Sequence, residues 1–463
     1  MTLRSTTKAA ITLILALVLS PAMALGQQQE ELEKRLRALE AQVELLRRQL
    51  ESRDTLMIEE LRRQIEAITR ELEEMRLGQE VVAEADTIMY GLGPGASKVY
   101  RVGQGVSLGG YGEMLYENFA AEREDGEDSG KTDQLDALRA VVYVGYKFND
   151  RFLFNSEIEF EHGSTDQAGS VSLEFAYLDF RVSEGLGLRA GLVLLPLGFI
   201  NELHEPPVFL GAKRPETERR IIPSTWRENG IGAFGEIGDL VFRAYLVNGL
   251  DAIGGGSSGA GGFDASGLRG GRQKGSKAVA ESFAGAARFD YVNPYGLLLG
   301  TSAYAGKSGQ GASSAETGEP IDAFTVVWDA HVEYRARGFD LRGLLALGWV
   351  DDAAAINTAK GFALGESVGE RLIGWYLQGG YDVLRGAETS GRLLPYVRYE
   401  HVNTQDRVPA GYAAAPENDL EILTLGIAWK PITNLAVKVD YEFESNEAKT
   451  GVNRLNAAVG YLF

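Results

Sequence analysis

From residue 105 to residue 463 the chain repeats one unit sixteen times: a stretch in which apolar and polar side chains alternate, ended by a turn signal. Strands are predicted near 105–118, 134–148, 151–162, 170–182, 187–197, 229–237, 239–250 and 279–291. Eight more fall near 296–306, 322–337, 339–350, 369–384, 391–402, 419–430, 434–445 and 453–463. The connections alternate as regularly as the side chains do. Asn149-Asp150, Gly238, Gly338 and Pro431 to Thr433 are tight, whereas 119–133, 251–278, 307–321 and 403–418 are long and polar. All the tight turns therefore lie at one end of the array and all the long loops at the other.

Two strands show what the alternation means. Phe152, Phe154, Ile158 and Phe160 share one face, and Asn155, Glu157, Glu159 and Glu161 the other. Trp328, Ala330, Val332 and Tyr334 likewise oppose Asp329, His331, Glu333 and Arg335. A sheet of sixteen strands, once closed, encloses a lumen too wide for side chains alone to fill, so the charged face lines water and the apolar face meets lipid. The fold class expected is an all-β transmembrane barrel of about sixteen antiparallel strands over 105–463. Aromatic residues beside the tight turns, Tyr146, Phe148, Phe152, Phe154, Phe289, Tyr291 and Trp429, fit an interfacial girdle. The alternative, a soluble β-sandwich, would have shorter strands without the short-long rhythm.

The first hundred residues follow other rules. Arg4 and Lys8, the apolar run Ala9 to Leu19 and the small-x-small triplet Ala22-Met23-Ala24 read as a secretory signal over 1–24. In 25–86 the residues Leu32, Leu36, Leu39, Val43, Leu46 and Leu50 form a narrow helical seam, continued with an offset of one residue by Leu61, Ile65, Ile68, Leu72 and Met75. A long helix with so narrow a stripe has no globular core to bury it, so a coiled coil between copies is expected, standing in the periplasm. Gly91, Gly93, Pro94, Gly95 and Gly103 mark 87–104 as a glycine-rich linker.

Composition removes several classes of function. With no cysteine the chain is neither a disulfide scaffold nor a thiolate metal site. A formal net charge of −19 argues against nucleic acid as a partner. The four histidines, His162, His204, His331 and His401, are too scattered in sequence for metal-ligand spacing, and no catalytic cluster stands out, so neither an enzyme nor a cofactor is expected. Gly130-Lys131-Thr132 lacks the first glycine of a phosphate loop and reads as exposed. The acidic run Glu122, Glu124, Asp125, Glu127 and Asp128 is either a solvated charge cluster or a place for divalent cations at the lipopolysaccharide surface. Asp251 to Gly271, rich in glycine and serine, reads as a mobile outer loop.

The segment 199–228 is the third long connection and the most distinctive. Pro206, Pro207, Pro215 and Pro223 stiffen it, and it is too apolar for a free surface loop. Lys213, Arg214, Arg219, Arg220 and Arg227 face a similar number of acids, Glu202, Glu205, Glu216, Glu218 and Glu228. Folded into the lumen, the bases either present fixed positive charge to a passing anion or pair internally and brace the loop; Arg189 and Arg243 on neighbouring strands join the same candidate set.

Arg189-x-Gly191 followed by Pro196-x-Gly198, opening into this loop, resembles the phosphate-selective porin O/P-like family of bacterial outer-membrane porins, here with an N-terminal coiled coil. The resemblance implies a homotrimer of sixteen-stranded barrels, each narrowed by its inward-folded third loop. The final stretch, in which Leu455, Ala457, Val459 and Tyr461 share a face with Phe463, resembles the C-terminal signal by which such barrels engage the barrel assembly machinery. The expected setting is the outer membrane of a Gram-negative cell, with lipid and lipopolysaccharide as partners. Two functions are compatible with it: a channel for small hydrophilic solutes, or a tether whose coiled coil spaces the membrane from peptidoglycan.

Overall fold

The computed structural model describes residues 88–164, 169–387 and 389–463, together with 34, 37–45, 63, 66 and 67 near the N-terminus. The signal read at 1–24 and most of the coiled coil read at 25–86 lie outside the described residues; those described within 25–86 are helical. The chain divides into two units after Val81, and the second contains the sheet.

The first strands are β1 (Gly105–Phe119), β2 (Gln134–Lys147), β3 (Phe152–Glu161), β4 (Ser170–Ser183) and β5 (Leu186–Leu194). After the third loop come β6 (Arg227–Ile237), β7 (Leu240–Asn248), β8 (Phe283–Val292), β9 (Leu297–Lys307) and β10 (Phe324–Ala336). The sheet continues through β11 (Phe339–Val350), β12 (Arg371–Tyr381) and β13 (Arg392–Arg407) to β14 (Asp419–Ile432), β15 (Leu435–Asn446) and β16 (Arg454–Leu462). Every strand pairs antiparallel with the next, and β16 returns to β1, so the sixteen-stranded barrel is closed. The main chain of Phe463 completes the closure, exchanging hydrogen bonds of 2.9 and 3.0 Å with Gly110.

The turns explain the rhythm of the connections. Between β10 and β11 both Arg337 and Gly338 adopt positive φ, 56° and 89°, the geometry of a two-residue hairpin whose twist suits the flanking strands. On the outer wall Leu178, Leu188, Ile231, Leu246, Leu377, Leu425 and Val439 are exposed. An apolar surface wrapping a sheet this large requires a lipid solvent, which makes this a transmembrane barrel. A ring of exposed aromatics, including Tyr146, Phe152, Phe289, Phe339, Tyr381 and Trp429, borders the short-turn end. In β3 and β10 the charged faces point inward: Glu157, Glu159, Asp329 and His331 are buried.

The interior is packed. The third loop, 195–226, contains the short helix α2 (Glu216–Arg220) and runs through the lumen, so that Ile221, Ile222 and Trp226 are fully buried. Arg227 and Glu228, read as its last residues, begin β6.

Two expectations need correction. The stretch read as a linker at 87–104 contains the helix α1 (Pro94–Arg101), with Leu92, Ala96 and Val99 buried and the helix packed on β1, β2 and β3. Pro94 opens it at a position where its fixed φ fits and its missing N–H costs nothing. The glycines serve proximity and not flexibility: a Cβ on Gly95 would meet Leu462 at 2.7 Å and Tyr143 at 2.8 Å. The stretch read as a mobile outer loop, Asp251 to Gly271, instead folds onto the barrel, with Ala252, Phe263 and Leu268 fully buried. Its glycines turn the backbone tightly enough for these apolar side chains to converge, Gly254, Gly255, Gly259 and Gly262 all having positive φ.

Candidate functional site

The third loop is held to the wall along its whole path, and mostly through its own main chain. Gly198 N donates to Asp329 on β10 at 3.1 Å. Val208 O accepts from Arg335 and Arg342 at 2.8 and 2.7 Å, Gly211 O from Lys438 at 2.8 Å, and Ala212 N donates to Asp440 at 2.7 Å. Thr217 N donates to Glu400 at 3.2 Å. The loop thus satisfies its buried peptide groups with wall side chains from β10, β11, β13 and β15, the route open to irregular backbone inside a barrel. Asn201 fastens the two ends, donating to Leu195 O and Trp226 O at 2.7 and 2.9 Å.

Two loop carboxylates act as acceptors. Glu218, fully buried, accepts from Phe199 N, Ile200 N and the Tyr376 hydroxyl at 2.7, 2.6 and 2.6 Å. Burial raises its pKa, and the three donors pull against that rise. Glu205 sits at the N-terminus of α1 and accepts from Gly95 N at 3.0 Å and Ala96 N at 3.2 Å. Its carboxylate takes the place of an N-cap, and burial pushes its pKa up to about 7 despite those donors. His204, the next residue back, bonds Glu157 on β3 at 3.1 Å.

The seven bases singled out in the sequence fall into three environments. Arg189 is buried near the short-turn half of the wall, where it pairs with Asp179 at 2.8 Å and lies 4.0 Å over the Tyr177 ring. Arg243 is buried between Glu202 and Asp290, at 3.1 and 2.9 Å. Arg227 pairs with Glu174 at 2.7 Å and Lys213 with Glu117 at 2.6 Å. Arg219 and Arg220 share Glu216, at 2.8 and 2.9 Å, and those two cations hold that carboxyl well below its usual range. Arg214 differs. It donates to His204 O across a long 3.4 Å, its Nε is buried without an acceptor among the described residues, and burial lowers its pKa with Arg139 adding to the effect.

One solvent basin lies at the short-turn end against the start of the third loop, and another lies within the fourth loop. The one at the short-turn end has a volume of about 440 Å3 and a mixed lining that includes Glu202, Arg243, Arg288, Asp290 and Glu333. The one toward the long loops has a volume of about 450 Å3 and is lined by residues of the fourth loop, 249–282, among them Arg269, Arg272 and Lys274. Sequence reading did not single out those three bases, because their glycine-serine surroundings suggested a mobile segment. Phe263 and Leu268, two large apolar residues inside that stretch, were the signal that it packs.

No protein-family model matches the chain. It is 37% identical over 392 residues to an uncharacterized protein of Aquifex aeolicus (strain VF5), covering 83% of this chain and 86% of that one. The chain belongs to that protein's family. Among solved structures it is similar to an anion-selective porin from Comamonas acidovorans, at 13% identity and a TM-score of 0.48, covering 77% of this chain and 99% of that chain. It is also similar to the outer membrane channel DcaP of Acinetobacter baumannii, at 12% identity and a TM-score of 0.48, covering 77% of this chain and 97% of that chain.

Proposed function

We propose that the chain is an outer-membrane channel that passes small hydrophilic solutes by diffusion past its third loop, with a preference for anions. The observation that carries this reading is the basin where Phe199, Glu202 and Leu203 of the third loop meet the charged wall residues Arg243, Arg288, Asp290 and Glu333, together with a second basin within the fourth loop at the long-loop end. A barrel serving only as an anchor needs neither basin, and it has no use for a guanidinium such as Arg214 held in the lumen without a carboxylate partner among the described residues. The fourth-loop basin at the long-loop end favours anions because its lining carries Arg269, Arg272 and Lys274 and no acid, whereas most bases deeper in the wall are neutralised by close pairs. A homotrimer assembled through the seam at 25–86, and phosphate as one of the anions carried, belong to the same proposal.

The deciding measurement is single-channel conductance with reversal potential in a salt gradient. Replacing Arg214, Arg219 and Arg220 together by glutamine is expected to shift permeability toward cations by a factor of about three or more, the low end of three charges at about 0.2–1 kcal/mol each. A folded barrel that conducts nothing would instead support the tether. That second reading draws support from α1, which seats the segment following the coiled coil inside the barrel wall.

A further inference from the structure

The basin of the fourth loop runs against the composition of the chain. Acids outnumber bases 65 to 46 overall, yet this lining carries Arg269, Arg272 and Lys274 and no carboxylate. The remainder is glycine, alanine, serine and one glutamine, so main-chain N–H groups and hydroxyls face the same space.

Arg272 is fixed in place. Arg272 is 7% exposed; it donates through Nε to Arg269 O at 3.0 Å and through Nη1 to Pro223 O at 3.1 Å and to Thr225 O. Those acceptors are neutral carbonyls, which hold the guanidinium without cancelling its charge. Nη1 of Arg269 is buried with no acceptor among the described residues. The turn that bears them is pinned to the barrel: Glu228 on β6 accepts from Gln273 N at 2.9 Å, and the Gln273 amide bonds Gly249 O and Val279 O. Burial and mutual repulsion push Arg269 down to about 10 and Arg272 down to about 9. The cations responsible include Arg219, Arg214 and Arg227 from the third loop and its end, opposed only weakly by Glu161, Glu174 and Glu228. A cluster of like charges with an unused donor is stabilised when an anion enters it.

We propose that this basin binds a small solute bearing an oxyanion, a phosphate ester or a carboxylate, gripped by Arg269 and Lys274 and steadied by Arg272. The site deepens the channel reading by giving the anion a docking point at the long-loop mouth, and its binding step is measurable apart from conduction.

The test uses the full-length protein, purified free of lipopolysaccharide, with inorganic phosphate as the probe. Calorimetry in detergent is expected to show phosphate binding that R269Q/K274Q weakens about tenfold or more, the loss of one charge-assisted contact being worth that much. R269K, which keeps the charge and loses the fork, is expected to fall between the two, and it serves as the reading variant should the double variant fail to fold. In bilayers free of lipopolysaccharide, phosphate added on the long-loop side is expected to depress the chloride current at lower concentration in the wild type than in either variant. If binding persists undiminished in the folded variants, or occurs only when lipopolysaccharide is supplied, the site is overturned. If calorimetry succeeds and no current flows, the site stands and the channel reading fails.

Discussion

Glu218 brings a carboxyl group into the lumen and meets three donors there in place of a cation. Replacing it with alanine orphans two buried N–H groups and the Tyr376 hydroxyl, at about 1–3 kcal/mol for each group left without a partner. Glu218→Ala is therefore expected to lower the temperature at which the barrel unfolds in detergent and to open the third loop to protease. Glu218→Gln retains one acceptor oxygen and should do less; equal cleavage of both variants and the wild type would show that the carboxylate is not what holds the loop. Glu205 makes a prediction with a sign in pH. Its folded pKa lies near 7, above the 4.5 of the free side chain, so its contribution is fully present below about pH 4.5 and is lost as pH rises through 7. At about 1.4 kcal/mol per unit that is a few kcal/mol at most. Unfolding resistance should thus fall between pH 5 and pH 8, and Glu205→Gln should flatten that part of the profile. The inward placement of Glu157, Glu159, Asp329 and His331 was legible from alternation, since parity along a strand decides the face. That Glu205 caps α1, which precedes it by more than a hundred residues, was not, because nothing local in either segment refers to the other.

At the scale of elements, the strands were readable and the fillers were not. A strand writes its two faces into every second residue, so β11 was placed at 339–350 from sequence and begins and ends there. Glycine has no such grammar. In 87–104 and in 251–271 it suggests freedom, yet Gly93, Gly95, Gly262 and Gly271 provide room for a close approach to a neighbour. Gly95 gives the sharper experiment, since a side chain there collides with Leu462, Tyr143 and Glu205 at once. Gly95→Leu is expected to expel α1 from its seat while leaving the sheet intact. Residues 88–104 would then become accessible to protease and to labels on introduced cysteines, and the conductance would rise as the short-turn end opens. Unchanged labelling in a folded variant would mean that α1 contributes nothing to closing that end.

The whole molecule is asymmetric along its axis. One mouth is bordered by tight turns, an aromatic ring and a mixed-charge basin; the other carries the fourth-loop bases. None of this specifies how many barrels assemble, because the outer wall offers apolar surface to lipid and to another barrel alike. On the proposed reading the instruction lies in the seam Leu32, Leu36, Leu39, Val43, Leu46 and Leu50, a stripe narrow enough to suit equivalent stripes from other copies. If that seam assembles the protein, deletion of residues 27–84 should lower the mass measured by light scattering in mild detergent from that of a trimer toward that of a single barrel. Heat-modifiable mobility should survive, since every strand and the Gly110–Phe463 closure lie beyond the deletion. Conductance per barrel should survive as well, because each lumen is filled by its own chain, the third loop bonding to strands of the same barrel. A deletion variant that keeps its full mass would move the assembly contact to the barrel wall. A full-length protein that is monomeric from the start would leave the seam without a partner of its own kind and turn the search toward another periplasmic helix.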